Sequence, residues 1–107
     1  MDVGCSAIAV PELPPVAFWL HQNHPNPFNP KTTIHFDLDA AAFVDLAVYA
    51  CGGRRIATLV RESRAAGQHQ ETWTGRDGSG RRMPSGVYLC RLEIAGQVET
   101  RRMILLK

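Results

Sequence analysis

VDLAVYACGGRRIATLV, residues 44–60, alternates apolar side chains with other residues on both sides of a glycine pair. Val44, Leu46 and Val48 share one face, and Asp45, Ala47 and Tyr49 take the other, which is the period of two of a half-buried strand. Gly52-Gly53 supplies a turn, and residues 55–60 then form a second strand rich in β-branched side chains.

The same pattern continues outward in both directions. Upstream, Ile34, Phe36 and Leu38 oppose Thr33, His35 and Asp37. Downstream, residues 68–74 put His69, Glu71 and Trp73 on one face, where Glu71 is a misfit if that face is buried. Residues 87–94 put Tyr88, Cys90, Leu92 and Ile94 against Val87, Leu89, Arg91 and Glu93, and Ala95-Gly96 turns the chain into a last strand over 98–106. Turn-forming clusters at 75–80 and 84–86 separate these runs. A weak helical option exists only at 39–43. Short strands at this spacing predict an all-β, immunoglobulin-like (fibronectin-III-like) antiparallel β-sandwich of about six or seven strands.

A chain of 107 residues has room for one core. Residues 1–17 are proline-dense and without period, and read as a tether; residues 18–107 read as the domain. Residues 22–30, QNHPNPFNP, cannot be helix and form an ordered loop or cap. Within it Phe28, between Pro27 and Asn29-Pro30, is the anchor onto the core. No run approaches the length of a membrane span, and the N-terminus lacks a basic region followed by an apolar one, so an extracellular location implies a longer precursor.

The formal charge of +2 is small, and Arg54-Arg55, Arg81-Arg82 and Arg101-Arg102 are separated pairs rather than a stripe, which argues against nucleic acid as a partner. Cys5, Cys51 and Cys90 are not in ligand spacing, and buried free thiols are expected in preference to a Cys51–Cys90 bridge. No nucleophile with a base, phosphate cradle or paired carboxylates occurs at a recognisable spacing, so no enzyme activity, cofactor or small-molecule substrate is expected. His21 and His24 form HxxH without two further ligands nearby, and no metal site is expected. Asp77-Gly-Ser-Gly lacks the later acidic ligands of a calcium loop and reads as a plain turn.

Other residues have folding roles. Gly53 and Gly75 suit turns with positive φ, and Gly86 lets the chain re-enter the sheet closely after Pro84. Trp73 and Tyr88 carry apolar bodies with polar tips that need a partner at the rim.

Five segments in order resemble the FlgD-like immunoglobulin-like family, named for the flagellar hook-capping protein and also used as the type A C-terminal sorting domain of bacterial type IX secretion (the Por secretion domain). They are QNHPNPFNP at 22–30, TTIHFDL at 32–38, VDLAVYACGGRRIATLV at 44–60, AGQHQETWTGRDGSGRRMPSGVYLCRL at 66–92 and TRRMILLK at 100–107. The sequence departs from the family at His24, where an aromatic is usual, at Ala50 and Thr74, where aspartate is usual, and at Glu71, where an apolar residue is usual.

The resemblance implies a non-enzymatic, monomeric sorting domain of a larger exported protein, reaching the medium or cell surface through the periplasm. Its partners would be the outer-membrane secretion machinery and a sortase-like peptidase that removes the domain upstream. By the same resemblance the recognition residues are Gly86, Tyr88, Arg91, Met103, Leu105 and Lys107. The structural motif comprises Pro25, Asn26, Pro27, Phe28, Asn29, Pro30, Gly53, Trp73, Gly75 and Asp77. The rival readings are a structural or adhesive protein-binding module, like the hook-capping relatives, and an accessory domain of a secreted enzyme.

Overall fold

The alternating segments become seven strands in a computed structural model that describes residues 16–106. They are β1 (Phe18–Leu20), β2 (Thr32–Leu38), β3 (Ala42–Ala50), β4 (Arg55–Arg64), β5 (Gly67–Trp73), β6 (Gly86–Ile94) and β7 (Gln97–Leu105). Two antiparallel sheets, ordered β1-β2-β5 and β4-β3-β6-β7, face one another. Residues 1–15, most of the tether expected over 1–17, and Lys107 lie outside the described residues.

Each predicted inward face is buried: Ile34, Phe36 and Leu38 of β2, Val44, Leu46 and Val48 of β3, Tyr88, Cys90, Leu92 and Ile94 of β6, and Met103 and Leu105 of β7. Removing this apolar surface from water is the main driving force for the sandwich. On β4 two register shifts against β3 break the alternation, so that Ile56 and Ala57 are both buried although adjacent.

Two expectations change, and one strand is additional. Residues 39–40 form a bend and Ala42 already belongs to β3, because pairing with β4 overrides the helix preference of the alanine run. Phe18–Leu20 is a strand, too short to show a period, formed by pairing with β2 as Phe18↔Leu38 and Leu20↔Phe36. Cys51 is exposed, since it stands at the tip of the β3–β4 hairpin, where Gly53 N–H donates to the Ala50 carbonyl. Cys90 is buried opposite Val48, and both thiols are free.

Burial pushes the Cys90 thiol up to about 12. In a Cys5→Ser chain, Ellman's reagent at pH 8 is therefore expected to titrate Cys51 in the native state and to reach Cys90 only after denaturation. Rapid native labelling of both would contradict the buried position of Cys90.

The Glu71 misfit is resolved by a partner on the other sheet. Arg64, at the end of β4, donates from Nη2 to Glu71 at 2.8 Å and from Nε to Glu62 at 2.7 Å, closing the β4–β5 corner with the carboxylate half-buried.

Candidate functional site

The proline segment and the last two strands form one unit at the margin of the four-stranded sheet. β7 pairs with β6 along its whole length, Gly86↔Leu105 to Ile94↔Gln97, which leaves its other edge to be satisfied. The proline segment covers it. Phe28 N–H donates to the Ile104 carbonyl (3.0 Å), Leu106 N–H donates to the Phe28 carbonyl (2.9 Å), and Ile104 N–H donates to Asn26 Oδ1 (2.9 Å). Further along, Gln22 Nε2 donates to the Arg102 carbonyl at 2.7 Å.

β1 is latched to the same strand by side chains. Leu20 N–H donates to Glu99 Oε1 and Arg101 Nε donates to the Leu20 carbonyl, both at 2.9 Å. Two long side chains of β7 thus do for β1 what a neighbouring strand would do, without extending the sheet.

Inside the proline segment a buried polar knot fixes the path of the chain. Asn23 Nδ2 donates to Thr32 Oγ1 (2.9 Å) and to the Pro25 carbonyl (3.1 Å), and Thr32 Oγ1 donates to that carbonyl (2.8 Å). Both side chains are almost wholly buried, and each finds its partners within the knot. Neither Asn23 nor Thr32 stands out in the sequence, because their burial follows only from the docking of the segment.

Phe28 is the anchor that the prolines suggest: it is 2% exposed, and its ring centroid lies 5.6 Å from that of Trp73, which lies 5.3 Å from Tyr88. This aromatic row runs from the cap, through β5, to β6. The polar tips are satisfied at the rim, Trp73 Nε1 donating to the Arg76 carbonyl (2.8 Å) and Tyr88 OH to the Pro84 carbonyl (2.6 Å). A tyrosine two residues before a strand cysteine that reaches back to the backbone upstream is the tyrosine corner of immunoglobulin-like sandwiches.

Of the residues singled out for recognition, Tyr88↔Met103 and Gly86↔Leu105 are cross-strand pairs of β6 and β7. Tyr88, Met103 and Leu105 point into the core and present no surface of their own, whereas Gly86 reaches solvent. Arg91 lies on the outer face of β6, 5.5 Å above the Tyr49 ring, with Arg55 at 5.1 Å from the same ring and paired to Asp45. It lies past the middle of β6, away from the Gly86 end.

Gly53 and Gly75 adopt φ of 98° and 76°, as the turns require. Gly86 differs from expectation: a side chain there would meet nothing within 4 Å, so its φ of 157° rather than a close approach marks the position. Asp77 organises its turn, accepting from the Ser79 hydroxyl (2.8 Å) and from the amides of Arg81 (2.9 Å) and Ser79 (3.0 Å). The Ser79 hydroxyl first, and then these amides, hold the Asp77 carboxyl below its ordinary pKa. Their contribution to stability is present above the unfolded pKa and is lost as pH falls through the lowered folded value.

Among the described residues, no group of three or more His, Cys, Asp and Glu is arranged to hold a metal. His21 turns to Asp37 at 2.6 Å, whereas His24 pairs its backbone with Thr33, so the HxxH does not converge. Among the described residues, no helix is long and apolar enough to cross a membrane.

These features define an immunoglobulin-like β-sandwich module whose last strand is capped by a proline segment. The family model of the FlgD Ig-like domain matches residues 25–97, and the chain belongs to that family. A search among curated proteins found none that matches.

Among solved structures, dimeric latent PorU from Porphyromonas gingivalis superposes with a TM-score of 0.71 at 17% identity, over 91% of this chain and 10% of PorU. PorZ from the same organism, described as an essential bacterial surface component of the type-IX secretion system, gives 0.55 at 18% identity, over 84% of this chain and 11% of PorZ. FlgD from P. aeruginosa gives 0.52 at 26% identity, over 70% of this chain and 59% of FlgD. The chain thus spans about a tenth of PorU and PorZ.

Proposed function

We propose that residues 18–107 are a folded sorting signal that directs a larger protein through the type IX secretion system to the cell surface or medium, with residues 1–17 as the tether in which a sortase-like peptidase cuts. The observation that carries this reading is the likeness over 91% of this chain to a small part of PorU, together with family membership. A module of this size attached to a much larger protein is the arrangement that a removable signal needs.

On this reading the β6–β7 pair and its proline cap are what the outer-membrane machinery recognises. Gly86 offers an exposed contact and Arg91 a half-buried one, Tyr88, Met103 and Leu105 set the shape of the strand pair, and Lys107 completes the recognition set. The domain itself performs no catalysis and needs no cofactor.

The test is export. A periplasm-targeted fluorescent protein carrying the 107-residue chain at its C-terminus is expected to reach the medium of a type-IX-competent host and to remain in the periplasm of a translocon-deficient one. Retention in both hosts would overturn the reading. A second reading, a protein-binding module that is never removed, is favoured by the likeness to FlgD. Mass spectrometry of the mature parent protein separates the two, since peptides from 22–107 disappear only if the domain is cut off.

A further inference from the structure

A cleft of about 480 Å³ opens where the proline segment, the turn after β5 and the end of β7 meet. Its volume lies in the range of sites that hold a small ligand or a short stretch of peptide. Pro30, Met83 and Leu105 give it an apolar floor, and Arg76 and Arg82 stand at its wall.

The two arginines are directly opposite each other in an isolated antiparallel bridge. Like charges so placed repel. Here the Arg76 guanidinium donates to the Gly80 carbonyl, at 2.9 Å from Nη1, and among the described residues neither arginine has an ion pair, whereas Arg55 and Arg91 have one each and Arg64 has two. Among the described residues, the Arg82 guanidinium has no side-chain partner.

At the edge of the cleft Gly75 lets these segments approach closely. A Cβ at Gly75 would lie 3.1 Å from the Pro30 carbonyl oxygen and 3.6 Å from Leu105, so a side chain there would intrude at the junction of these segments.

We propose that this cleft is a binding site for a peptide segment that presents a carboxylate next to an apolar side chain. The planar guanidinium forks match a carboxylate bidentately and relieve the repulsion between Arg76 and Arg82, while the apolar side chain lies on Pro30, Met83 and Leu105. The charge complementarity selects an acidic peptide over a neutral one, and the floor selects one with an apolar neighbour over a free anion. This goes beyond the sorting reading, and binding to the isolated chain is measured without any secretion machinery.

The probe is the tetrapeptide acetyl-Gly-Gly-Leu-Leu with a free C-terminal carboxylate, titrated into the isotopically labelled 107-residue chain by NMR, with its C-terminal amide and inorganic phosphate in parallel. The acid is expected to bind with Kd of about 1 mM and to shift the amides of Gly75, Arg76 and Met83. The amide and phosphate should each bind at least about tenfold more weakly, and Arg82→Gln should weaken the acid about tenfold while leaving the rest of the spectrum in place. Equal binding of acid and amide, equal binding of phosphate, or shifts that map away from the cleft would each overturn the proposal. So would unchanged affinity in a folded Arg82→Gln chain.

Discussion

Trp73→Ala is expected to lower the unfolding free energy by about 3–5 kcal/mol, measured by urea denaturation of the 107-residue chain. The side chain is 2% exposed and stands between Phe28 and Tyr88, so truncation opens a cavity at the point where the cap, the three-stranded sheet and the four-stranded sheet meet. It also removes the donor that satisfies the Arg76 carbonyl, at the start of the turn that leads towards β6. Trp19→Ala is the internal control. That ring is 52% exposed on β1, and its loss should change stability by no more than about 0.5 kcal/mol. A loss below about 1 kcal/mol for Trp73 would mean that the aromatic row is not part of the cooperative core.

The contrast between the two tryptophans shows what the sequence reveals. Trp73 sits in an alternating run, so its inward face can be read from its neighbours. Trp19 sits in a strand of three residues, where no period exists to be read. β1 forms because β2 offers an edge and because Glu99 and Arg101, about 80 residues later, bind its backbone; no local signal encodes that. The same holds for Glu71, whose partner Arg64 comes from the other sheet.

The candidate site divides along the same line. Tyr88, Met103 and Leu105 are legible as inward positions of two alternating strands, and Phe28 is legible as an apolar residue framed by prolines. That these strands and this segment form one unit depends on where the cap docks, and the arginine-walled cleft depends on three remote segments meeting at Gly75. Cys51 marks a further limit. Its residue type suggests burial, but its place at a hairpin tip decides otherwise.

Phe28→Ala is the second large effect expected, and it should differ in kind from the loss of Trp73. Truncation of a fully buried phenylalanine costs about 3–5 kcal/mol, but here the side chain belongs to a segment that can lift away from an otherwise intact sandwich. The hydrogen bonds that would be lost with it are those from Phe28 N–H to Ile104, from Leu106 N–H to Phe28 and from Ile104 N–H to Asn26. Native-state hydrogen exchange is therefore expected to accelerate most at the Ile104 and Leu106 amides. The acceleration there should be about 100-fold or more, since each 1.4 kcal/mol is tenfold, while Leu46, in the middle of β3, exchanges only through global unfolding. With its edge uncovered, β7 would also present unpaired backbone groups at the margin of the sheet, and the variant should self-associate at concentrations where the parent chain remains dispersed. Equal acceleration at Leu46 and Ile104 would show instead that the cap and the sandwich unfold as a single unit. In that case a partner could engage β7 only alongside the proline segment, never in its place.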